Sequence, residues 1–246
     1  MLFRSRSTSA GTFAKIAEDV TRGVQNISVA NADKFVVDGV NGIGAPTPET
    51  AAEIRNISGT QTITVTGTGN NAIEVGSGGA LGSSVINALI QSVTAGQGGE
   101  SGSITVTGPA GNTRLAAFTT NSFADPLLGP KTQTITTTGA ITVIGGTAPT
   151  QGGNFNSGIF HNGLGQQTVA AADSKIRGGT AGTGNGAFVN SGNGGDQLVT
   201  VTGGITLTGG SGAGTSNNRA GMNAINANQT INGNPDIVVS GGASGG

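Results

Sequence analysis

The chain has 246 residues and a formal net charge of −1 at pH 7, and 47 of its residues are glycine. Cysteine is absent, which excludes disulfides and cysteine-ligated metals. Charged residues make up only 9% of the chain, and tryptophan and tyrosine are absent, so neither a basic face nor an aromatic platform for nucleic acid is expected. The sequence has no apolar run of about 18 residues, so we expect no transmembrane segment.

Residues 1–24 do not fit the pattern that follows them. A polar stretch at residues 7–9 precedes apolar residues at helical spacing, namely Phe13, Ile16, Ala17 and Val20. This spacing predicts a short amphipathic helix over residues 12–22. We expect the segment to serve as a cap or assembly segment, because the first strand of a repeat array is an open edge.

From residue 25 onward, a glutamine followed two positions later by a β-branched residue recurs along the chain. The glutamines lie 30 to 42 residues apart, with a mean spacing of 34. A period of this length is typical of repeat architectures, so residues 25–246 are predicted to form one repeat domain. The seven positions are Gln25, Gln61, Gln91, Gln133, Gln167, Gln197 and Gln229.

Within each unit, apolar residues alternate with threonine. Ile63 and Val65 alternate with Thr62 and Thr64, and the same pattern recurs at residues 104–107, 199–202 and 205–208. Such a period of two predicts short strands with one buried and one solvent-facing side. Glycine and asparagine, which tolerate positive φ, bound these stretches and predict the turns.

Two further markers recur in step with the glutamines. Paired glycines follow a strand at residues 145–146, 178–179, 209–210 and 241–242. A small residue precedes a large apolar one at Gly158-Ile159, Ala187-Phe188 and Gly221-Met222. Three markers in a fixed order indicate a structural repeat, not a flexible glycine-rich tract.

Together these patterns predict an all-β fold, a parallel three-faced β-solenoid of about seven coils. Each unit supplies three strands and three corners, and it must stack on its neighbours to bury its apolar side. The preference of parallel crossovers for one hand favours a right-handed coil. Strands stack about 4.8 Å apart, so seven coils would form a rod of roughly 34 Å.

The glutamines are predicted to form a structural ladder inside the solenoid. Gln61 has the same parity as Ile63 and Val65, so its side chain is expected on the core side of the strand. A lone buried amide without a partner would cost a few kcal/mol. A column with one amide per coil can instead hydrogen-bond along the stack.

No group of residues predicts a catalytic, cofactor or metal site. The aspartates fall at different points of their coils, whereas polysaccharide-cleaving enzymes need clustered carboxylates, and we expect Asp196 and Asp236 to cap turns. Residues 191–198 partly match a calcium-binding nonapeptide, but that motif works in tandem and occurs once here. His161 is the only histidine, and we expect it in a loop or on the surface.

The interval between Gln91 and Gln133 is the longest of the six. It carries Phe118, Phe123 and Leu127-Leu128. If the protein binds surface glycans or a host protein, this insert is the expected contact.

The last unit of the sequence has two recognisable arms, at residues 229–231 and 237–242. We expect an open terminal coil there, which is a template for more chain or for the next subunit. The residues expected at a head-to-tail junction are Ile231, Ile237 and Val239 at one end and Phe13, Ile16, Val20, Ile27, Phe35 and Val37 at the other.

Two stretches resemble the repeats of filamentous-haemagglutinin-type proteins. They are residues 133–146 (QTITTTGAITVIGG) and residues 197–211 (QLVTVTGGITLTGGS), the second followed by Asn218–Met222 and Asn228–Ile231. The resemblance covers about residues 25–242 and rests on repeat style. It implies a bacterial, secreted, right-handed β-helix with surface, matrix or adhesive roles.

We therefore expect a structural protein without enzyme activity or cofactor, located outside the cell or on a bacterial surface. It would be the subunit of a fibre or matrix filament, and its partner would be another copy of itself. The alternative is a glycan- or host-binding segment of a larger surface adhesin. Ice binding by Thr-x-Thr columns such as Thr62/Thr64 and Thr200/Thr202, and a polysaccharide-active enzyme, are further alternatives.

Overall fold

A computed structural model describes residues 2–6, 13–17, 23–39, 51–76, 83–110, 115–120, 130–147, 157–211 and 217–242. Within these ranges the chain forms strands, turns and bends, and it forms no helix. Consequently, no helix that could span a membrane occurs in the described part of the chain. The prediction of an all-β fold is confirmed.

The strands form two sheets, and every strand pair that the structure describes is parallel. The first sheet has eight strands, in the order β1 (Leu2–Arg6), β4 (Lys34–Asp38), β6 (Ala72–Val75), β8 (Ser103–Thr107), β11 (Ala140–Ile144), β14 (Asp173–Arg177), β17 (Gly204–Thr208) and β20 (Asp236–Ser240). The second sheet has twelve strands: β2 (Phe13–Ala17), β3 (Val24–Ala30), β5 (Ala51–Thr66), β7 (Ser83–Ala95), β9 (Ala116–Thr120), β10 (Thr132–Thr137), β12 (Ser157–Asn162), β13 (Gln166–Ala171), β15 (Ala187–Gly192), β16 (Asp196–Val201), β18 (Ala220–Ala224) and β19 (Gln229–Asn232).

The second sheet supplies two of the three faces of the solenoid. The long strand β5 pairs with β2 through its first half and with β3 through its second half, and the register shifts between Asn56 and Thr60. We call the eight-stranded sheet face A. Face B contains the glutamines and consists of β3, the second halves of β5 and β7, β10, β13, β16 and β19. Face C consists of β2, the first halves of β5 and β7, β9, β12, β15 and β18. The chain passes through face A, then C, then B, and repeats, which confirms the three-faced parallel solenoid.

The core lies along the axis and is built from alternate residues of each strand. On face B, Ile63, Val93 and Ile135 occupy one registered column and are fully buried. On face A, Ile73 and Ile104 do the same. β-Branched side chains pack well on such a pleated surface, and burying one stabilises the fold by about 1.5–3 kcal/mol. Each coil thus packs its apolar side chains against those of the next coil and buries them.

The solenoid has about five turns that lie between two neighbouring coils. This number is slightly smaller than the seven coils predicted from the glutamines. The difference arises at the two ends of the stack. The first strands, β1, β2 and β3, and the last strands, β18, β19 and β20, each pair with described strands on one side only. The end coils therefore have one open side.

The helix predicted over residues 12–22 is wrong for the part that the structure describes. Phe13–Ala17 is a strand that pairs with the first half of β5. Ile16 lies opposite Ile54 and packs against the core. Pairing with the next coil therefore makes this segment a strand, although its apolar residues have helical spacing. Leu2–Arg6 also pairs with β4, so strands already lie within the segment predicted as a non-repeat cap. The cap or assembly role of residues 1–24 remains a prediction.

The glycine pairs stack in register as the sequence pattern indicates, whereas one of the pairs of a small and a large apolar residue does not. A Cβ on Gly145, Gly178 or Gly209 would lie 2.4–2.7 Å from the backbone nitrogen of a glycine in the next coil, so the glycine pairs stack without room for side chains. In the second marker, the alignment of Ala187-Phe188 was off by one residue. Phe188 pairs with Gly158 and Gly221, and it is Val189 that shares the buried column with Ile159.

Candidate functional site

Seven glutamines on face B form one continuous column. The register places each glutamine opposite the glutamine of the next coil. Gln61, Gln133 and Gln167 are fully buried. Their amides hydrogen-bond to one another with nitrogen-to-oxygen distances of 2.5 to 3.2 Å. The column satisfies polar groups that would otherwise be unpaired in the core.

The glutamine column has a direction. In every step, Nε2 of the later glutamine donates to Oε1 of the earlier one, as in Gln61 to Gln25 and Gln229 to Gln197. Some amides use their second hydrogen for the backbone; Gln91, for example, also donates to the carbonyl of Ile86. The end at Gln229 therefore presents an acceptor oxygen, and the end at Gln25 presents a donor nitrogen. The two ends of the column are chemically complementary.

The last coil presents an apolar surface. Ile231, Ile237 and Val239 continue the buried columns of Val199, Ile205 and Leu207, yet they are 38%, 53% and 72% exposed. They are exposed because no described strand stacks beyond β19 or β20. Three large apolar side chains in core register are thus open to solvent at this end of the described stack.

The apolar residues at the opposite end are less exposed. Gln25 is 9% exposed, and Ile16, Ile27 and Val29 are partly buried against the core. Phe35 and Val37, which were predicted at this junction, are instead fully buried core residues, because β1 pairs with β4 and β4 is not the terminal strand of face A. The side chain of Phe13 and the whole of Val20 lie outside the described residues.

The acidic residues and the histidine that the structure describes lie apart from one another along the stack. The described ranges contain no group of three or more histidine, cysteine, aspartate or glutamate residues that could hold a metal. The Asp196 carboxylate accepts a hydrogen bond from the backbone N–H of Asn228, and the Asp173 carboxylate accepts one from Gly204. Asp196 and Asp173 each bind a corner of the next coil, and the turn-capping role of Asp236 stays a prediction.

The surface location predicted for His161 is wrong. Its side chain is fully buried on face C, where it follows Ile159 in the inward alternation of β12 and lies next to Ser191 in the register of the adjacent coil. Its Nδ1 lies 3.2 Å from the hydroxyl of Thr120. Burial and the nearby charge of Lys131 lower the pKa of His161 to about 4, and burial also lowers the pKa of Lys131. This inward column of hydroxyls and one neutral imidazole is a structural element of the core.

Phe118, one of the contact residues predicted in the insert between Gln91 and Gln133, does not lie on the surface. Phe118 is fully buried and lies between Ile86 and Ile159 in an inward column of face C. It is therefore a core residue and cannot contact a glycan or a host protein. Phe123 and Leu127-Leu128 lie outside the described residues.

The outward threonine columns on face B are less regular than the sequence suggested. Thr200 aligns with Ala170 and thus with the Thr64 column, and Leu198 occupies the place paired with Thr168. The prediction that Thr200 belongs to the Thr62 column is therefore wrong by two residues along the strand. A leucine and an alanine within a hydroxyl array interrupt the flat lattice of hydroxyls that ice binding requires.

Comparison of the chain with protein-family models, with curated proteins and with solved structures finds no match in any of the three. The resemblance to filamentous-haemagglutinin-type repeats therefore stays a prediction.

The feature that the sequence did not predict is the direction of the glutamine column. Parity predicted that the amides face inward, and spacing predicted that they stack. Which amide donates and which accepts depends on side-chain rotation, and no sequence signal reports it.

Proposed function

We propose that this protein is a structural subunit that assembles head-to-tail with further copies of itself into a filament. The observation that carries the proposal is the exposure of Ile231, Ile237 and Val239, three residues that continue core columns at the last coil. A second copy stacked on this end would bury them as the inner coils bury their equivalents. Burial would contribute at most about 3 kcal/mol for each side chain.

The polarity of the glutamine column supports the head-to-tail direction. The acceptor at Gln229 meets a donor only if the next copy presents its Gln25 end. Two copies joined tail-to-tail would bring two acceptor oxygens together. A head-to-tail contact repeats without closing and so gives a filament.

The location of this filament outside the cell, on a bacterial surface or in a matrix, belongs to the same proposal. It is supported by the implied likeness of the repeats to secreted β-helices. The low charge, 9% of residues, is compatible with a fibre whose copies pack closely. Parallel sheets that run on through each junction would also leave few backbone groups open to proteases.

Electron microscopy and sedimentation of the purified protein at increasing concentration test the proposal. The wild-type chain should form unbranched filaments, and Val239→Lys should prevent them because it places a charge in the junction. Val238→Lys is the matched control, since Val238 lies on the same strand and pairs with the outward-facing Thr206. Short monodisperse rods of wild-type protein at every concentration would contradict the proposal.

A further inference from the structure

The described strands are not shared equally among the three faces. Face A has eight strands, whereas faces B and C each have seven strand segments. The extra strand arises because the first and the last described strands, β1 and β20, both belong to face A. For two copies that meet through these described end strands, the inequality restricts how they can join.

In the simplest junction, β20 of one copy would pair with β1 of the next. Faces B and C would then each lack one strand at the junction. Neighbouring strands lie about 4.8 Å apart, whereas β19 and the next copy's β3 would be roughly 10 Å apart. This is twice the spacing at which two strands form backbone hydrogen bonds. Gln229 would not reach the next Gln25, and four strand edges would remain unpaired in the junction.

A different junction leaves no gap. If β20 takes the place of the next copy's β1, the strands β18 and β19 lie one step from that copy's β2 and β3. All three faces then continue without interruption. The acceptor oxygen of Gln229 lies beside the donor nitrogen of the next Gln25, so the column of amides continues as well.

The register of β20 fits the place of β1. Phe3 pairs with Phe35 and Ser5 with Val37 in the register of β1 on β4. In the stack of face A, the columns of Phe35 and Val37 run through every strand and end at Ile237 and Val239. Strand replacement would therefore seat Ile237 against Phe35 and Val239 against Val37, two apolar pairs in core register.

Strand replacement exchanges one pair of opposite charges for another: Arg6, opposite Asp38 in the register of β1, would leave, and Asp236 would arrive opposite Lys34. The ammonium of Lys34 lies 2.7 Å from the carboxylate of Glu74 and remains about half exposed, so it can face a second carboxylate. Opposite charges on directly paired residues stabilise a strand pair.

We infer that β20 of one copy replaces β1 of the next copy, so that the filament grows by strand exchange between identical chains. This inference rests on the proposed head-to-tail function and specifies its junction. The occupant of the open apolar end is then the β2–β4 end of a second copy, and Phe35 and Val37 become junction residues once β1 has left.

An engineered disulfide that holds β1 on β4, and that can be reduced again, tests the inference. Arg4 and Val36 are paired in register, and the chain has no native cysteine. The double variant Arg4→Cys/Val36→Cys should form a disulfide that holds β1 on β4, because neighbouring strands bring Cα atoms within the usual disulfide range of about 4.4–6.8 Å. Oxidised protein should not assemble, and reduction should restore filaments. Equal assembly in both states would overturn the inference.

A second pair of variants locates β20 in the junction. Val36→Cys/Val238→Cys should give disulfide-linked oligomers on a non-reducing gel, whereas Arg4→Cys/Val238→Cys should not. Filaments in which Arg4→Cys/Val238→Cys cross-links instead, or in which neither pair does, would overturn strand replacement and leave the head-to-tail function standing. Absence of filaments in the wild-type protein would overturn the proposed function itself.

Discussion

The hydroxyl of Thr120 lies 3.2 Å from Nδ1 of His161, although the two residues are 41 positions apart. Both side chains face the axis of the solenoid in neighbouring coils of face C. The same hydroxyl accepts a hydrogen bond from the backbone N–H of Asn162. The hydroxyl can donate its hydrogen to the imidazole in the tautomer whose Nδ1 carries no hydrogen.

This burial predicts that the protein loses stability in mild acid. The pKa of His161 is lowered from 6.5 to about 4 by burial and by the charge of Lys131. The unfolded chain therefore binds a proton that the folded chain rejects between these values. The free energy of unfolding should fall as the pH decreases from about 6.5 to about 4, by at most about 3 kcal/mol.

Thermal unfolding of wild type and His161→Ser across this pH range checks the prediction. The difference between the two proteins isolates His161 from the carboxylates, which titrate in both. The stability advantage of wild type should be largest near pH 7 and should shrink towards pH 4. A difference that does not change with pH would show that His161 titrates normally.

The glutamine column predicts a large effect for one internal substitution. Gln167→Leu removes a donor from Oε1 of Gln133 and an acceptor from Nε2 of Gln197. Unpaired buried polar groups cost about 1–3 kcal/mol each, so the variant should lose about 2–6 kcal/mol of stability. Thr134→Val, on the outward side of the same face, is the control and should change stability by less than about 0.5 kcal/mol. Equal urea midpoints for the two variants would argue against a stabilising column.

Phe118 is predicted to affect folding and not ligand contact. Phe118→Ala should lower the free energy of unfolding by about 3–5 kcal/mol, because it leaves a cavity between Ile86 and Ile159. Thr119→Ala, one position along and half-buried on the outer side, should have a small effect in the same denaturation experiment. If Phe118→Ala unfolds like wild type, its place in the core is wrong.

The corner glycines predict a contrast between two positions with positive φ. Gly165 has φ +120°, and an added Cβ would lie 1.9 Å from the carbonyl oxygen of Lys131. Gly165→Ala should therefore destabilise the protein by more than the 1–3 kcal/mol or so of backbone strain alone. Gly98 has φ +58° with nothing within 4 Å of its Cβ position, so Gly98→Asn should be tolerated. Similar melting temperatures for both variants would contradict the close approach at Gly165.

Much of the fold could be predicted because each coil repeats the same local physics. Alternation of Ile63 and Val65 with threonine fixes which side is buried, and the parity of Gln61 follows from it. The first strands could not be predicted in this way. Ile16 has helical spacing within its own segment, and only pairing with Ile54 in the next coil makes the segment a strand.

His161 and Phe188 show the same limit on face C. In β12 both Ile159 and Phe160 are apolar, so alternation does not reveal which of them faces inward. The answer depends on register with Phe118 and Val189 in the neighbouring coils. The exposed end at Val239 was predictable because it continues a clear column of apolar residues, whereas strand replacement follows only from counting strands on each face.

The register of the glutamine column is kept although the intervals between glutamines range from 30 to 42 residues. The differences in interval length thus fall between the paired strands, whose register is unchanged. Evolution can therefore lengthen, shorten or decorate a corner independently of the rod, and whole coils can be duplicated without redesigning their neighbours. Such a scaffold separates the chemistry of its surface from the stability of its interior.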